Sequence, residues 1–271
     1  MPKYQLLFTD LDGTLLNRRS EISAGNAAAI KSALSAGKRI VVASGRSWKS
    51  LVYFNGRLGL DAPGHYGIAF NGGVIYETSA LRFIHEQPMD NALGKEIITA
   101  LKTFGAAADI FVYAGGELYS ERDELNLWHT DDKGGLTITV VDNFSEIQGD
   151  IIKVIAKGTN AGLTEIARRM EPLFTGRCNI CFSAGELLEF LHPNANKGSA
   201  VEILAGYLRI PIEETIAMGD EANDITMLKK AGLGVAVANA VPGAKAAADI
   251  VLDKNCNESA VAAVIERYLL T

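Results

Sequence analysis

The chain has 271 residues, 48% hydrophobic and 21% charged, a balance ordinary for a globular protein with a sizeable core. A formal net charge of −6 and a pI near 5.3 argue against the basic face that nucleic-acid or anionic-membrane binding needs. No apolar run approaches the ~18 residues of a membrane span, so neither nucleic acid nor membrane is an expected partner, and a monomer or weak homo-oligomer is expected. Met1-Pro2-Lys3-Tyr4 leads into a strand without a signal-peptide pattern, and three cysteines do not make a disulfide framework, so the cytoplasm is the expected location. Cys178 and Cys181 lie inside 177–182, which reads as strand, far in sequence from Cys256. They read as small buried residues rather than a redox pair or zinc site.

In chain order, an apolar run of strand length beginning at Tyr4 reaches Asp10 and Asp12, followed at once by Gly13-Thr14. Segment 23–36 reads as a helix stopped by Gly37, and 38–43 as a strand buried on both faces. A helix to about 56 follows Ser44-Gly45-Arg46. Strands 66–70 and 74–77 flank Asn71-Gly72-Gly73, which reads as a hairpin turn. Beyond about 81 the pattern changes. Helices at 93–104 and 163–174 accompany strands at 109–113, 117–121, 136–141, 151–156, 177–183 and 187–191, an α+β arrangement. Alternating helices and strands resume at Asn196. The fold class is therefore α/β, with a core of residues 1–82 and 189–271 interrupted by an inserted α+β domain of residues 83–188.

Side chains two apart on a strand share a face, so Asp10 and Asp12 are expected to look into one crevice at the strand's carboxyl end. One carboxylate could attack as a nucleophile or hold a metal while the other moves protons; a plain Asp-Gly hairpin is the alternative. Ser44 sits at a strand-to-helix junction, where a hydroxyl and backbone N–H groups suit a phosphate oxygen or simply cap the helix. Lys197, in Asn196-Lys197-Gly198-Ser199, either neutralises a bound phosphate or is solvated. Gly219-Asp220 ends a strand, and Asp224 opens the next helix. Carboxylates gathered from Asp10, Asp12, Asp220 and Asp224 repel one another unless a cation joins them, and hard oxygen ligands suit Mg²⁺.

These segments, in this order, resemble the haloacid-dehalogenase-like hydrolase superfamily, and within it the Cof-type sugar phosphatases. Val237-Ala238-Asn239-Ala240 and Ala247-Ala248-Asp249 match that subgroup as well. The resemblance implies a Rossmann-like core with a mostly parallel sheet and a cap domain roofing the crevice. It implies hydrolysis of a small phosphate monoester, with Asp10 as nucleophile and Asp12 as acid and then base. Ser44 and Lys197 would hold the phosphoryl oxygens. Mg²⁺ would be bound by Asp10, the Asp12 carbonyl and Asp220, with Asp224 in support directly or through water. Substrate contacts fall to Ser44, Gly45, Arg46, Asn71, Gly72, Lys197 and Asn223, with Asn223 orienting the phosphate or Lys197 and Arg46 reaching the cap or substrate. Trp128, His129, Asp131 and Asp132 are candidates for a sugar pocket or a solvated helix end. A phosphomutase or phosphotransferase is the alternative, separated by whether water is the sole acceptor. The last helix departs from the family pattern: it is entered through Asn255-Cys256-Asn257-Glu258-Ser259 where relatives carry Asp-Gly.

Overall fold

Leu6–Thr9 form β1, four residues all buried, so both faces of this strand are covered. In the computed structural model, which describes residues 3–104, 108–122 and 138–271, two units emerge. One comprises Met1–Glu86 with Asn196–Thr271, the other Gln87–Ala195. The candidate pocket residues at 128–132 lie outside the described residues.

The first unit continues through α1 (Ala24–Ser35), β2 (Arg39–Ala43), α2 (Trp48–Leu58), β3 (Tyr66–Ala69), β4 (Val74–Glu77) and β5 (Arg82–Glu86). Ser23 caps α1 by accepting from the Asn26 backbone N–H, and Ser47 caps α2 by accepting from that of Ser50. The intervening unit holds α3 (Asn91–Phe104), β6 (Asp109–Ala114), β7 (Glu117–Ser120), β8 (Ile138–Val140), β9 (Ile151–Lys157), α4 (Asn160–Phe174), β10 (Asn179–Ala184) and β11 (Leu187–Leu191). The chain then supplies α5 (Lys197–Tyr207), β12 (Thr215–Gly219), α6 (Ile225–Lys230), β13 (Leu233–Ala236), α7 (Pro242–Ala247), β14 (Ile250–Val251) and α8 (Ala260–Val264).

The first unit's sheet has the order β14-β13-β12-β1-β2-β3-β4-β5. It is parallel from β14 to β3, with β4 and β5 added antiparallel. Helix α1 packs on α2 and α8, while α5, α6 and α7 form a second group. The sequence-based limits of the insert cut through two strands. β5 pairs with β4 and belongs to the core sheet, and β11 pairs with β9 in the second unit. The boundaries therefore fall at 86/87 and 195/196 rather than 82/83 and 188/189. The change to antiparallel pairing begins inside the core, at its edge, and so precedes the true boundary.

The second unit's sheet runs β10-β11-β9-β6-β7-β8. Val112, Val154, Leu188 and Phe190 bury one face with Ile97 and Leu101 of α3 and Leu163 and Met170 of α4. On the alternate face Lys153 Nζ donates to Glu189 Oε1 at 2.7 Å, and both residues are buried. No disulfide joins the three cysteines; Cys178 and Cys256 are buried while Cys181 is only partly so, which corrects its reading as a buried residue, and burial pushes the Cys178 thiol up to about 12. Among the described residues no helix is long and apolar enough to cross a membrane.

Candidate active site

β1 is flanked by β12 on one side and β2 on the other, and the chain leaves these strands in opposite directions along the sheet. Such a reversal opens a crevice at the carboxyl ends of the strands. Thr9 lies beside Met218 and Val42, and the Asp10 N–H donates to Met218 O at 2.9 Å, extending the pairing by one residue. The strand ends there, which corrects the expectation that Asp10 and Asp12 share one strand face. Asp10 is buried, whereas the Asp12 side chain, in the following turn, is half exposed.

Lys197, the first residue of α5, is wholly buried. The Asn196 side chain caps this helix by accepting from the Ser199 N–H at 2.9 Å, which aims Lys197 inward. Its Nζ donates to Asp10 Oδ1 and to Asp224 Oδ1, each at 2.5 Å. Burial would lower the lysine, but the two carboxylates outweigh it and hold its pKa above the ordinary value. Asp224 Oδ2 accepts from the N–H groups of Asp220 and Glu221, at 2.8 and 3.0 Å. With both oxygens engaged, Asp224 braces the cluster.

One ammonium does not balance this much carboxylate. Burial drives the pKa of Asp10 well above the usual range; Lys197 opposes this, and Asp224, Asp220 and Asp12 add to it. Asp220 is pushed up to about 7, by burial first and the Asp224 charge next. Ligand oxygens of Asp10, Asp220 and Asp224 lie within 4.8 Å of one another. A buried set of carboxylate oxygens, negative in excess and held this close, fits a hard divalent ion such as Mg²⁺. The Asp12 side chain is not part of this group.

Asp12 instead meets Arg46 in a bidentate pair. Arg46 Nε donates to Asp12 Oδ2 and Nη2 to Oδ1, both at 2.7 Å. The guanidinium also lies over the Phe54 ring, 5.4 Å from its centroid. Ser44 is buried but does not cap α2, a task that belongs to Ser47; its Oγ accepts from the Arg46 N–H at 3.1 Å.

The segment Phe70–Gly72 is a tight turn of 3₁₀ type rather than the simple hairpin turn expected, although β3 and β4 do pair antiparallel. Phe70, Asn71 and Gly72 all have positive φ, of 51°, 54° and 95°. The turn is fastened to the Ser44 loop: the Phe70 N–H donates to Arg46 O at 2.9 Å and the Asn71 N–H to Ser44 O at 3.0 Å. A Cβ at Gly45 would stand 3.2 Å from the Asn71 amide, and one at Gly72 only 2.4 Å from Asn196 O. Asn223 Nδ2 donates to Asn71 Oδ1 at 2.8 Å, so Asn223 braces this turn instead of Lys197.

Two contributors escape sequence reasoning. Thr14 Oγ1 donates to Asp220 Oδ1 at 2.8 Å. Asn239 Nδ2 donates to Gly13 O at 2.8 Å and approaches Asp220 Oδ2 at 3.4 Å, while its Oδ1 accepts from the Cys256 N–H at 2.9 Å. The motif strings contain both residues, but only the order β13-β12-β1 in the sheet gives them a task.

A family model described as haloacid dehalogenase-like hydrolase matches residues 7–265. The chain is 30% identical, over 98% of its length, to part of the chloroplastic endoribonuclease YBEY of Arabidopsis thaliana, and it spans about half of that relative (47%). It is also 30% identical to the 5-amino-6-(5-phospho-D-ribitylamino)uracil phosphatase YwtE of Bacillus subtilis, covering 96% of both chains. Among solved structures, a haloacid dehalogenase-like hydrolase from Bacteroides thetaiotaomicron superposes with a TM-score of 0.84 at 28% identity, over 97% of this chain and 99% of that one. Fold, crevice and relatives agree: the chain belongs to the haloacid dehalogenase-like hydrolase family, as a Cof-type phosphatase.

Proposed function

We propose that the chain is a Mg²⁺-dependent phosphatase that hydrolyses a small phosphorylated metabolite, with sugar phosphates the foremost class, through an aspartyl-phosphate on Asp10. The observation that carries this reading is the contact of Lys197 with both Asp10 and Asp224 inside a buried carboxylate cluster. The name of YwtE, a phosphatase of a phosphorylated ribityl compound, supports the substrate class.

Uncatalysed phosphomonoester hydrolysis requires acceleration of up to ~10²¹-fold. Much of the barrier is repulsion between an anionic nucleophile and the phosphoryl oxygens. Asp10 Oδ1 is held by Lys197, which leaves Oδ2 to attack phosphorus. Lys197 and the Ser44 hydroxyl hold the phosphoryl oxygens. Asp12 gives a proton to the leaving oxygen as its bond to phosphorus breaks. It then takes a proton from the water that attacks the aspartyl-phosphate, releasing inorganic phosphate and restoring Asp10. Asp10, the Asp12 carbonyl and Asp220 would hold Mg²⁺, with Asp224 behind them. The ion supplies positive charge opposite the phosphoryl oxygens.

The test is a panel of sugar and polyol phosphates assayed for phosphate release with Mg²⁺ and with EDTA, alongside Asp10→Asn and Asp12→Asn. Turnover indifferent to EDTA, or an Asp10→Asn variant as active as wild type, would overturn the reading.

A further inference from the structure

The second carboxylate of the site has a partner that the proposed reaction does not account for. Both oxygens of Asp12 are held by Arg46, in a fork with two contacts of 2.7 Å. A fork of this kind fixes the plane of a carboxylate as well as its place. Arg46 is itself braced on several sides. Its guanidinium lies over Phe54, its N–H is held by Ser44 Oγ, and its carbonyl accepts from the Phe70 N–H in the strained turn. Its side chain is only 18% exposed, against 49% for Asp12. Of the two groups the arginine is the more buried and the more closely braced.

Resting on the phosphatase reading above, we infer that Arg46 is a positioning residue for Asp12, setting the carboxyl group at which the leaving oxygen is protonated, rather than a ligand of the phosphoryl group. A carboxyl group that passes a proton must present one oxygen to the acceptor. As the leaving oxygen arrives, one contact of the fork opens, the freed Asp12 oxygen takes up a proton from solvent, and the other contact stays as a pivot. The proton moves from the released Asp12 oxygen to the leaving oxygen while the bond from that oxygen to phosphorus breaks and the bond from Asp10 forms. The remaining contact returns the carboxylate to the same place for the water step. Lysine has no fork and cannot substitute.

This division of labour predicts a dependence on the leaving group. A poor leaving group, such as an alkoxide, needs its proton; a nitrophenolate barely does. The experiment measures kcat/KM for Arg46→Ala, Arg46→Lys, Asp12→Asn and the Arg46→Ala/Asp12→Asn double variant across nitrophenyl, phenyl and alkyl phosphates, with Mg²⁺. Expected is a loss on alkyl phosphates on the order of 10²-fold for Arg46→Ala, shrinking toward the nitrophenyl ester, no rescue by Arg46→Lys, and little further loss in the double variant. In parallel, titration of the Mg²⁺-loaded protein with inorganic phosphate, read by calorimetry, should give an affinity within about threefold of wild type for Arg46→Ala, since general-acid positioning does not enter ground-state binding. Equal losses on every ester, losses that multiply with Asp12→Asn, or a collapse of phosphate affinity would each overturn the inference and make Arg46 a phosphoryl ligand. Wild-type protein that neither binds phosphate nor turns over any ester would overturn the phosphatase mechanism itself, and this role with it.

Discussion

Lys197 Nζ stands 2.5 Å from Asp10 Oδ1, although the two residues are 187 positions apart in the chain. The contact lies between the loop after the central strand and the first turn of a capped helix, and both residues are buried. Asp224 Oδ1 completes the triad at the same distance.

Removing the ammonium strands buried carboxylates. Lys197→Met should lower stability by about 3–5 kcal/mol in the absence of divalent ions, the cost of breaking a buried pair. Phosphate release should fall below detection. Denaturant unfolding with EDTA and a phosphate-release assay with Mg²⁺ measure the two effects, and added Mg²⁺ should recover part of the stability but none of the activity.

The pH dependence of stability has a definite sign. The Asp220 pKa is pushed up to about 7 from an ordinary 3.8, and that of Asp10 is raised as well. Between those values the folded protein keeps protons that the unfolded chain has lost. Metal-free stability should therefore fall as pH rises through this window and level off above it. Mg²⁺ takes the place of those protons, so its stabilising effect should grow with pH. Unfolding midpoints with EDTA and with Mg²⁺, from about pH 5 to about pH 8, should diverge toward the alkaline end. Convergence there would contradict this account.

Thr14 and Asn239 aim the two oxygens of Asp220. Partners that orient a ligand usually cost 10–100-fold in metal affinity when removed. Thr14→Val and Asn239→Ala should each weaken Mn²⁺ binding by about 10-fold or more, read by electron paramagnetic resonance on the metal-free protein without any assay of turnover. A change of less than twofold in both would leave Asp220 without need of them.

Two glycines offer opposed outcomes. Gly72 has φ of 95°, and a Cβ there would stand 2.4 Å from Asn196 O, the residue that caps the helix of Lys197. Gly72→Ala should cost at least about 1–3 kcal/mol and reduce activity. Gly206, in α5, has open space where a methyl group would stand, with no atom within 4 Å other than its chain neighbours and the helix's own backbone. Gly206→Ala should stabilise by about 0.4–1 kcal/mol with activity unchanged. Thermal unfolding of the two variants side by side decides both.

The convergence of Asp10, Lys197, Asp220 and Asp224 is legible in the sequence because each marks the end of a buried strand or the start of a helix. Strand ends in a parallel sheet gather on one edge whatever their order along the chain. The partner of Asp12 is not legible, since choosing Arg46 requires knowing that β1 and β2 are neighbours and how each loop turns after its strand. The same holds for Asn239, whose motif carries no chemical signature. Asn71-Gly72-Gly73 reads as a turn joining antiparallel strands, and it is one. Its succession of left-handed residues, which include Phe70, follows from hydrogen bonds to the Ser44 loop that no local pattern encodes. Residues 83–86 fall to the insert in the sequence because no strand is legible there, whereas β5 pairs with β4 and extends the core sheet.

The placement of β12 beside β1 has a consequence for how the protein is made. Asp10 and Asp12, in the turn after Leu6–Thr9, leave the ribosome before the second unit, yet Lys197, Asp220 and Asp224 lie beyond the whole of it. The second unit can therefore fold during synthesis while the first is still missing three of its eight strands. Until residue 224 has emerged, Asp10 has neither Lys197 and Asp224 together nor a cluster to join, so a nascent chain carries no phosphatase centre. The reactive group is assembled last, by the part of the polypeptide that also closes the core around it.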